Sequence, residues 1–192
     1  KSYLTLKSAT NIAVQGNIGN RPNIHAEGVI ILQDIGQFSI VVRQTIYEMG
    51  YVDAYSSLVS NGDIRFSKKG ASHHVSIKAM NNFECAGKMG HHSTIIAEKL
   101  VTLHDDIAHH AEIMATSFVE KGVLGDASHV KAQDGYINSC GKNEQLIFSH
   151  SLKIDSAQGG GSISCPKVQL LDREKYADSF FEHFNLKGNL AA

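Results

Sequence analysis

A chain of 192 residues, 42% hydrophobic and 19% charged with a formal net charge of −1, carries enough apolar material for one buried core without disulfides. Only four arginines occur, Arg21, Arg43, Arg65 and Arg173, and they are scattered, so the basic stripe of a nucleic-acid binder is missing. No apolar run reaches the roughly 18–20 residues that cross a membrane as a helix, which favours a soluble and cytoplasmic protein.

The sequence opens at Lys1, and no signal peptide is read in it. Residues 1–88 read as β-rich. "YLTLKS" and "NIAVQG" alternate apolar and polar positions, and "GNIGNRPN" (16–23) is turn material. "IHAEGVIILQ" (24–33) and "FSIVVRQTIY" (38–47) follow as strands rich in β-branched residues. "GDIRFSKKGASHHVSIKAM" (62–80) reads as a hairpin, with Ile64 and Phe66 on one face and Val75, Ile77 and Ala79 on another.

From Ser93 to Lys121 the apolar residues Ile96, Leu100, Leu103, Ile107, Ala111, Met114 and Phe118 fall three and four apart. That spacing predicts a long helix over about 93–121, started by Ser93 or Thr94 and stopped by Gly122. "NEQLIFSHSLKID" (143–155) reads as a strand with Leu146, Phe148, His150, Leu152 and Ile154 on its apolar face. "AQGGGS" (157–162) is a turn, "ISCPKVQLLD" a strand, and "REKYADSFFEHF" (173–184) an amphipathic helix carrying Tyr176, Phe180 and Phe184. No internal repeat is read. The expectation is one α+β domain over 1–192: a mainly antiparallel sheet packed on one long central helix, with strands and a C-terminal helix over 134–186.

Eleven histidines are an excess for this length, and they concentrate in "HDDIAHHAE" (104–112) and the doublets His73–His74 and His91–His92. On the predicted helix Asp105, His109 and Glu112 share the face opposite the core, with His104 and His110 at its borders. His104, Asp105, His109, Glu112, His91 and His92 are therefore the candidate ligands of a divalent metal, Zn, Mn or Fe, because imidazole and carboxylate are its usual donors.

Complete catalytic signatures are missing. His25-Ala26-Glu27 is half of a zinc deaminase motif, but no C-x-x-C follows. "GNIG" and "QGGGS" fit neither phosphate-binding glycine pattern. Cys85, placed just before the predicted helix and near His91 and His92, is a candidate thiolate nucleophile; Cys140 and Cys165 read as buried thiols.

"LVTLHDDIAHH", preceded by "HHSTIIAEKL", resembles the H-D step of the HD-domain phosphohydrolases. The resemblance implies His92, His104, Asp105 and Asp178 as metal ligands. That family is all-helical and sets its first histidine on a separate helix, whereas one continuous helix is predicted here, so membership is not assigned.

Two functions follow as expectations. One is a binding or assembly protein, a homo-oligomeric subunit with a histidine- and carboxylate-rich face and no nucleic-acid or membrane partner. The other is a metal-assisted hydrolase or lyase acting on a small polar ligand.

Overall fold

A computed structural model describes residues 3–43, 45–156, 160–171 and 184–190. Among them every regular element is a strand, and every strand pairing is parallel. One sheet takes β1 (Thr5–Ser8), β3 (Asn23–Ala26), β5 (Ile40–Arg43), β7 (Ser57–Ser60), β9 (Ser76–Ala79), β11 (Thr94–Ala97) and β13 (Glu112–Met114). The other takes β2 (Ile12–Val14), β4 (Val29–Leu32), β6 (Thr45–Met49), β8 (Ile64–Phe66), β10 (Phe83–Cys85), β12 (Leu100–Leu103) and β14 (Ser117–Leu124). Between the sheets runs a third column of single bridged residues: Ile18, Ile35, Val52, Ala71, Met89, Ile107 and Leu124.

Successive members of that column lie 17, 17, 19, 18, 18 and 17 residues apart. The described residues thus form a coil repeated along one axis, a parallel β-solenoid in which each coil buries its inner face on the coils above and below. Its last coils differ. β15 (His129–Cys140), β16 (Lys142–Ser156) and β17 (Gly160–Leu170) run through both sheets as long strands, and β18 (Phe184–Leu190) pairs with β17.

The core is one continuous column of inward side chains, among them Ile24, Val41, Leu58, Ile77, Ile95 and Ile113 from the first sheet and Ile30, Ile46, Ile64, Phe83, Val101 and Phe118 from the second. Within the short strands such as β8 and β11 the pattern has period two, and Phe66 meets Phe83 edge-on at 5.1 Å. At several corners an Asn or Asp oxygen accepts the amide next to a glycine of the following coil: Asn11 to Val29, Asp34 to Tyr51, Asp106 to Val123 and Asp126 to Lys142. The glycine is required there. A Cβ on Gly50 would stand 2.4 Å from Asp34 Oδ1 and 2.6 Å from the Gln33 carbonyl.

The α+β expectation is therefore wrong, and the reason is physical. In 93–121 the buried apolar residues are Ile95, Ala97, Val101, Leu103, Ile107, Ala111, Ile113 and Phe118. They fall mostly in pairs two apart inside strands, with steps of four or five residues between pairs at the corners. The three-and-four spacing of a helix arises only by mixing inward residues (Leu103, Ile107, Ala111, Phe118) with apolar residues on the outer side of the strands, and accordingly Ile96 and Leu100 are half-buried and Met114 is 47% exposed. The hairpin over 62–80 and the antiparallel sheet fail because β8 and β9 never pair with each other; they pair in parallel with their counterparts on neighbouring coils. The absence of a repeat is likewise overturned.

His150 is the other misplaced residue. Register shifts in β15 and β16 turn the chain by a corner at 148–152, so Phe148 and Leu152 are buried and His150 is exposed, its Nδ1 2.7 Å from Asp134 Oδ1. The Ser151 hydroxyl, and then His150, hold the Asp134 carboxyl below its usual range. The expected helix over 173–184, with Tyr176, Phe180 and the HD-like Asp178, falls outside the described residues, except that Phe184 opens strand β18. Among the described residues no helix is long and apolar enough to cross a membrane.

A ladder of histidines as candidate metal centre

Among the described residues, one corner of successive coils, between the bridged column and the first sheet, turns through a residue with positive φ. These residues are Arg21, Phe38, Tyr55, His74, His92, His110, Ala127 and Asn143, with φ between 53° and 62°. Left-handed backbone costs a non-glycine residue about 1 kcal/mol or more, with Asn, Asp and His tolerating it best. The backbone amide of each corner residue donates across to the next coil: His74 N–H to the His91 carbonyl at 2.9 Å and His92 N–H to the His109 carbonyl at 3.1 Å. The residue that follows points inward. Where it is serine, its hydroxyl closes the turn, as Ser93 Oγ does on the Gly90 carbonyl at 2.8 Å and Ser56 Oγ on the Asp53 carbonyl at 2.7 Å.

Because the corner recurs once per coil, its side chains stack. Arg21 lies 5.3 Å from the Phe38 ring centre, and Phe38–Tyr55, Tyr55–His74, His74–His92 and His92–His110 follow at 5.1, 4.9, 4.9 and 4.8 Å with interplanar angles under 10°. Beside it runs a shorter column formed by the residue before each corner: His73–His91 at 4.9 Å and His91–His109 at 5.0 Å. The two columns meet edge-on along each coil, at 5.3, 5.1 and 5.2 Å for the three doublets.

The result is six imidazoles in a grid of two by three. Within it, one nitrogen each from His91, His92 and His109 lie within 4.8 Å of one another. A tetrahedral zinc bound at about 2.0–2.1 Å holds its donors roughly 3.4 Å apart, so modest side-chain rotations bring this trio into range. His91 is half-buried while His92 and His109 are exposed, and the Nδ1 of His91 is buried without a hydrogen-bond partner. Desolvation, followed by the neighbouring imidazoles, lowers the pKa of both His91 and His92. Their lone pairs are therefore free at lower pH than in an isolated histidine, as a metal requires.

Of the six residues the sequence marked as ligands, the fold unites three: His91, His92 and His109. It separates the others. His104 stands at a different corner, where its Nε2 lies 2.9 Å from Glu84 Oε1 and Lys121 Nζ 3.3 Å from its Nδ1. Asp105 turns back on its own chain, accepting the Asp106 amide at 2.8 Å. Glu112 projects outward from β13. The helical wheel that grouped Asp105, His109 and Glu112 does not apply to a coil. The sequence passed over His73, His74 and His110 as ladder members, although the three doublets, spaced by 18 residues, are in plain view. Cys85 ends β10 fully buried, its thiol pushed up to about 12 by desolvation, so it is no nucleophile.

Two open grooves lie elsewhere. One of about 640 Å³ is lined by Gln33, Arg65, Lys69 and Glu84 among others, and one of about 320 Å³ by Ile96, Met114, Lys131 and Ile147 among others. Comparison of the chain with known protein families, curated proteins and solved structures finds no match.

Proposed function

We propose that this protein is a metal-binding scaffold: a β-solenoid whose histidine corner takes up a divalent transition metal without carrying out chemistry on it. The observation that supports this reading is the His91–His92–His109 trio with donor nitrogens within 4.8 Å. The donors are all imidazole. That set suits Zn(II), Cu(II), Ni(II) or Fe(II) and disfavours Mn(II), Mg(II) and Ca(II), which prefer oxygen. Binding is favoured over the hydrolase or lyase reading because the ladder stands on an exposed corner, away from the grooves that would enclose a small substrate. A cytoplasmic setting accords with three buried free thiols, Cys85, Cys140 and Cys165.

Association of copies is a separate part of the proposal. Ile40, Met114 and Ile147 leave apolar surface on the outer face of the first sheet, and light scattering that gives a monomer at every concentration removes it. The metal reading is tested by equilibrium dialysis against zinc at neutral pH. Retention of zinc by the wild type, at least tenfold weakened in His91→Gln/His92→Gln and unchanged in His104→Ala and Asp105→Asn, is the expected result. Equal retention by all four proteins, or none by the wild type, removes the reading.

A further inference from the structure

We infer that the ladder holds two divalent ions side by side along the solenoid axis, an inference that rests on the metal-binding reading above. The trio His91, His92 and His109 consists of both histidines of one coil and the first-column histidine of the next. The same relation joins His73, His74 and His91. Ring centres in that second trio are 5.3, 4.9 and 5.8 Å apart, against 5.1, 5.0 and 6.1 Å in the first. The coil repeat has set the rings of both trios in the same arrangement, and in the first the donor nitrogens already lie within 4.8 Å of one another.

Both trios use His91, so two ions cannot each keep a full trio. The six rings do divide evenly. His73, His74 and His91 serve one ion, and His92, His109 and His110 serve the other, with His92–His110 at 4.8 Å and His109–His110 at 5.2 Å. Three imidazoles with water in the fourth position is an established zinc donor set. A first ion is free to take the central trio, and a second displaces it one step toward His110. The upper division is already oriented, since Ser72 Oγ lies 3.0 Å from His73 Nδ1 and fixes that ring.

The array ends at two. Above it the columns continue as Tyr55 and Ala54, and below it the corner residue is Ala127. Asp126, next in the first column, has its Oδ1 taken by the Lys142 amide at 2.8 Å. Two dications one coil apart repel at close range, so the second binds at least about tenfold more weakly than the first.

Isothermal titration of the full chain with Zn²⁺ at neutral pH tests this. Two ions bound in two resolved steps, the second at least tenfold weaker, is the expected result. His73→Ala/His74→Ala should bind one ion with the first-step affinity retained, and His109→Ala/His110→Ala should also bind one. His91→Gln/His92→Gln leaves two doublets separated by a whole coil and should lose both steps. A wild-type stoichiometry of one, or two ions still bound by either terminal double variant, overturns the two-ion ladder while leaving the scaffold reading in place. No zinc bound by the wild type overturns both.

Discussion

The solenoid up to Met114 and the solenoid after it use the same coil with opposite distributions of polar chemistry. In the first region the interior is almost wholly hydrocarbon, with small serines at the corner, and the titratable groups stack on the outside as the imidazole ladder. Where that region gives way to the second, carboxyls stand inside. Phe66, Cys85, Leu103, Glu120, Ile137, Ile154 and Leu170 occupy one inward column on successive coils, so Glu120 replaces a hydrocarbon. Glu144 stands in the corner column that holds Ser39, Ser56, Ser93 and Ser128 in earlier coils, and it is paired with Gly161. Oε2 of Glu120 and both carboxylate oxygens of Glu144 are buried without partners. The coil tolerates such groups because each fills one column position, Glu120 between Leu103 and Ile137 and Glu144 between Ser128 and Gly161. It tolerates them only when neutral, since an unpaired buried charge is far costlier than a neutral carboxyl.

The largest effect that would sharpen this contrast is a dependence on pH confined to the second region. Burial raises the carboxyl of Glu120 to about 8 and that of Glu144 to about 7, from the ordinary 4.5. A carboxyl whose folded value lies above its unfolded one gives stability that is fully present below about 4.5 and is lost as pH rises toward the folded value. Unfolding free energy should therefore fall between pH 5 and 8, by a total on the order of a few kcal/mol. Glu120→Gln with Glu144→Gln should flatten the profile. Hydrogen exchange should show the loss in β15–β17 and spare β7–β12. A profile that is flat in the wild type, or a loss spread evenly over all coils, breaks the contrast.

A smaller effect concerns the corners. Gly50→Ala drives a methyl onto Asp34 and Gln33, and Gly122→Ala places one 2.6 Å from the Asp105 and Asp106 backbone. Each should cost about 1–3 kcal/mol in denaturant unfolding. Gly19→Ala, with nothing within 4 Å of the added methyl, should stay within about 0.5 kcal/mol of wild type. If all three behave alike, the close coil-to-coil approach at Gly50 and Gly122 is not what those glycines serve.

These glycines also show how much of the fold could be read from the sequence. Strand segments within residues 1–88, though not their pairing, and Leu146, Phe148, Leu152 and Ile154 of 143–155, though not His150, are legible, because period two needs only neighbouring residues. The coil was not, because its period of 17–19 residues is visible only when distant segments are aligned. Once they are, "IGQFS", "VDAYS", "MGHHS", "IAHHA" and "LGDAS" stand as one motif: a bridged apolar residue, a corner residue three positions later, and a small inward one. Half of the candidate site was named in advance for a partly mistaken reason. His91, His92 and His109 were chosen for their density, whereas their convergence comes from parallel stacking, which brings residues 18 apart to about 5 Å.

The smallest effect separates the two halves of the corner column. Ala127 carries positive φ with no ring stacked on it. Ala127→Gly should relieve that strain and stabilise the protein by up to about 1 kcal/mol in thermal or denaturant unfolding. His92→Gly relieves the same strain but removes a ring held between His74 and His110. It should therefore be neutral or destabilising. A gain of equal size at both positions would show that the stacked rings contribute nothing to holding the coil.

The central claim, that parallel coiling assembles a metal ladder from the three histidine doublets, is tested most directly by crystallography of the zinc-soaked protein with data at the zinc absorption edge. The account predicts anomalous density within about 2.0–2.1 Å of imidazole nitrogens from His91, His92 and His109, shifting to two peaks divided among the six ladder histidines as zinc is raised. Zinc density at His104 and Glu84 or at His150 and Asp134, with the ladder bare, would contradict it.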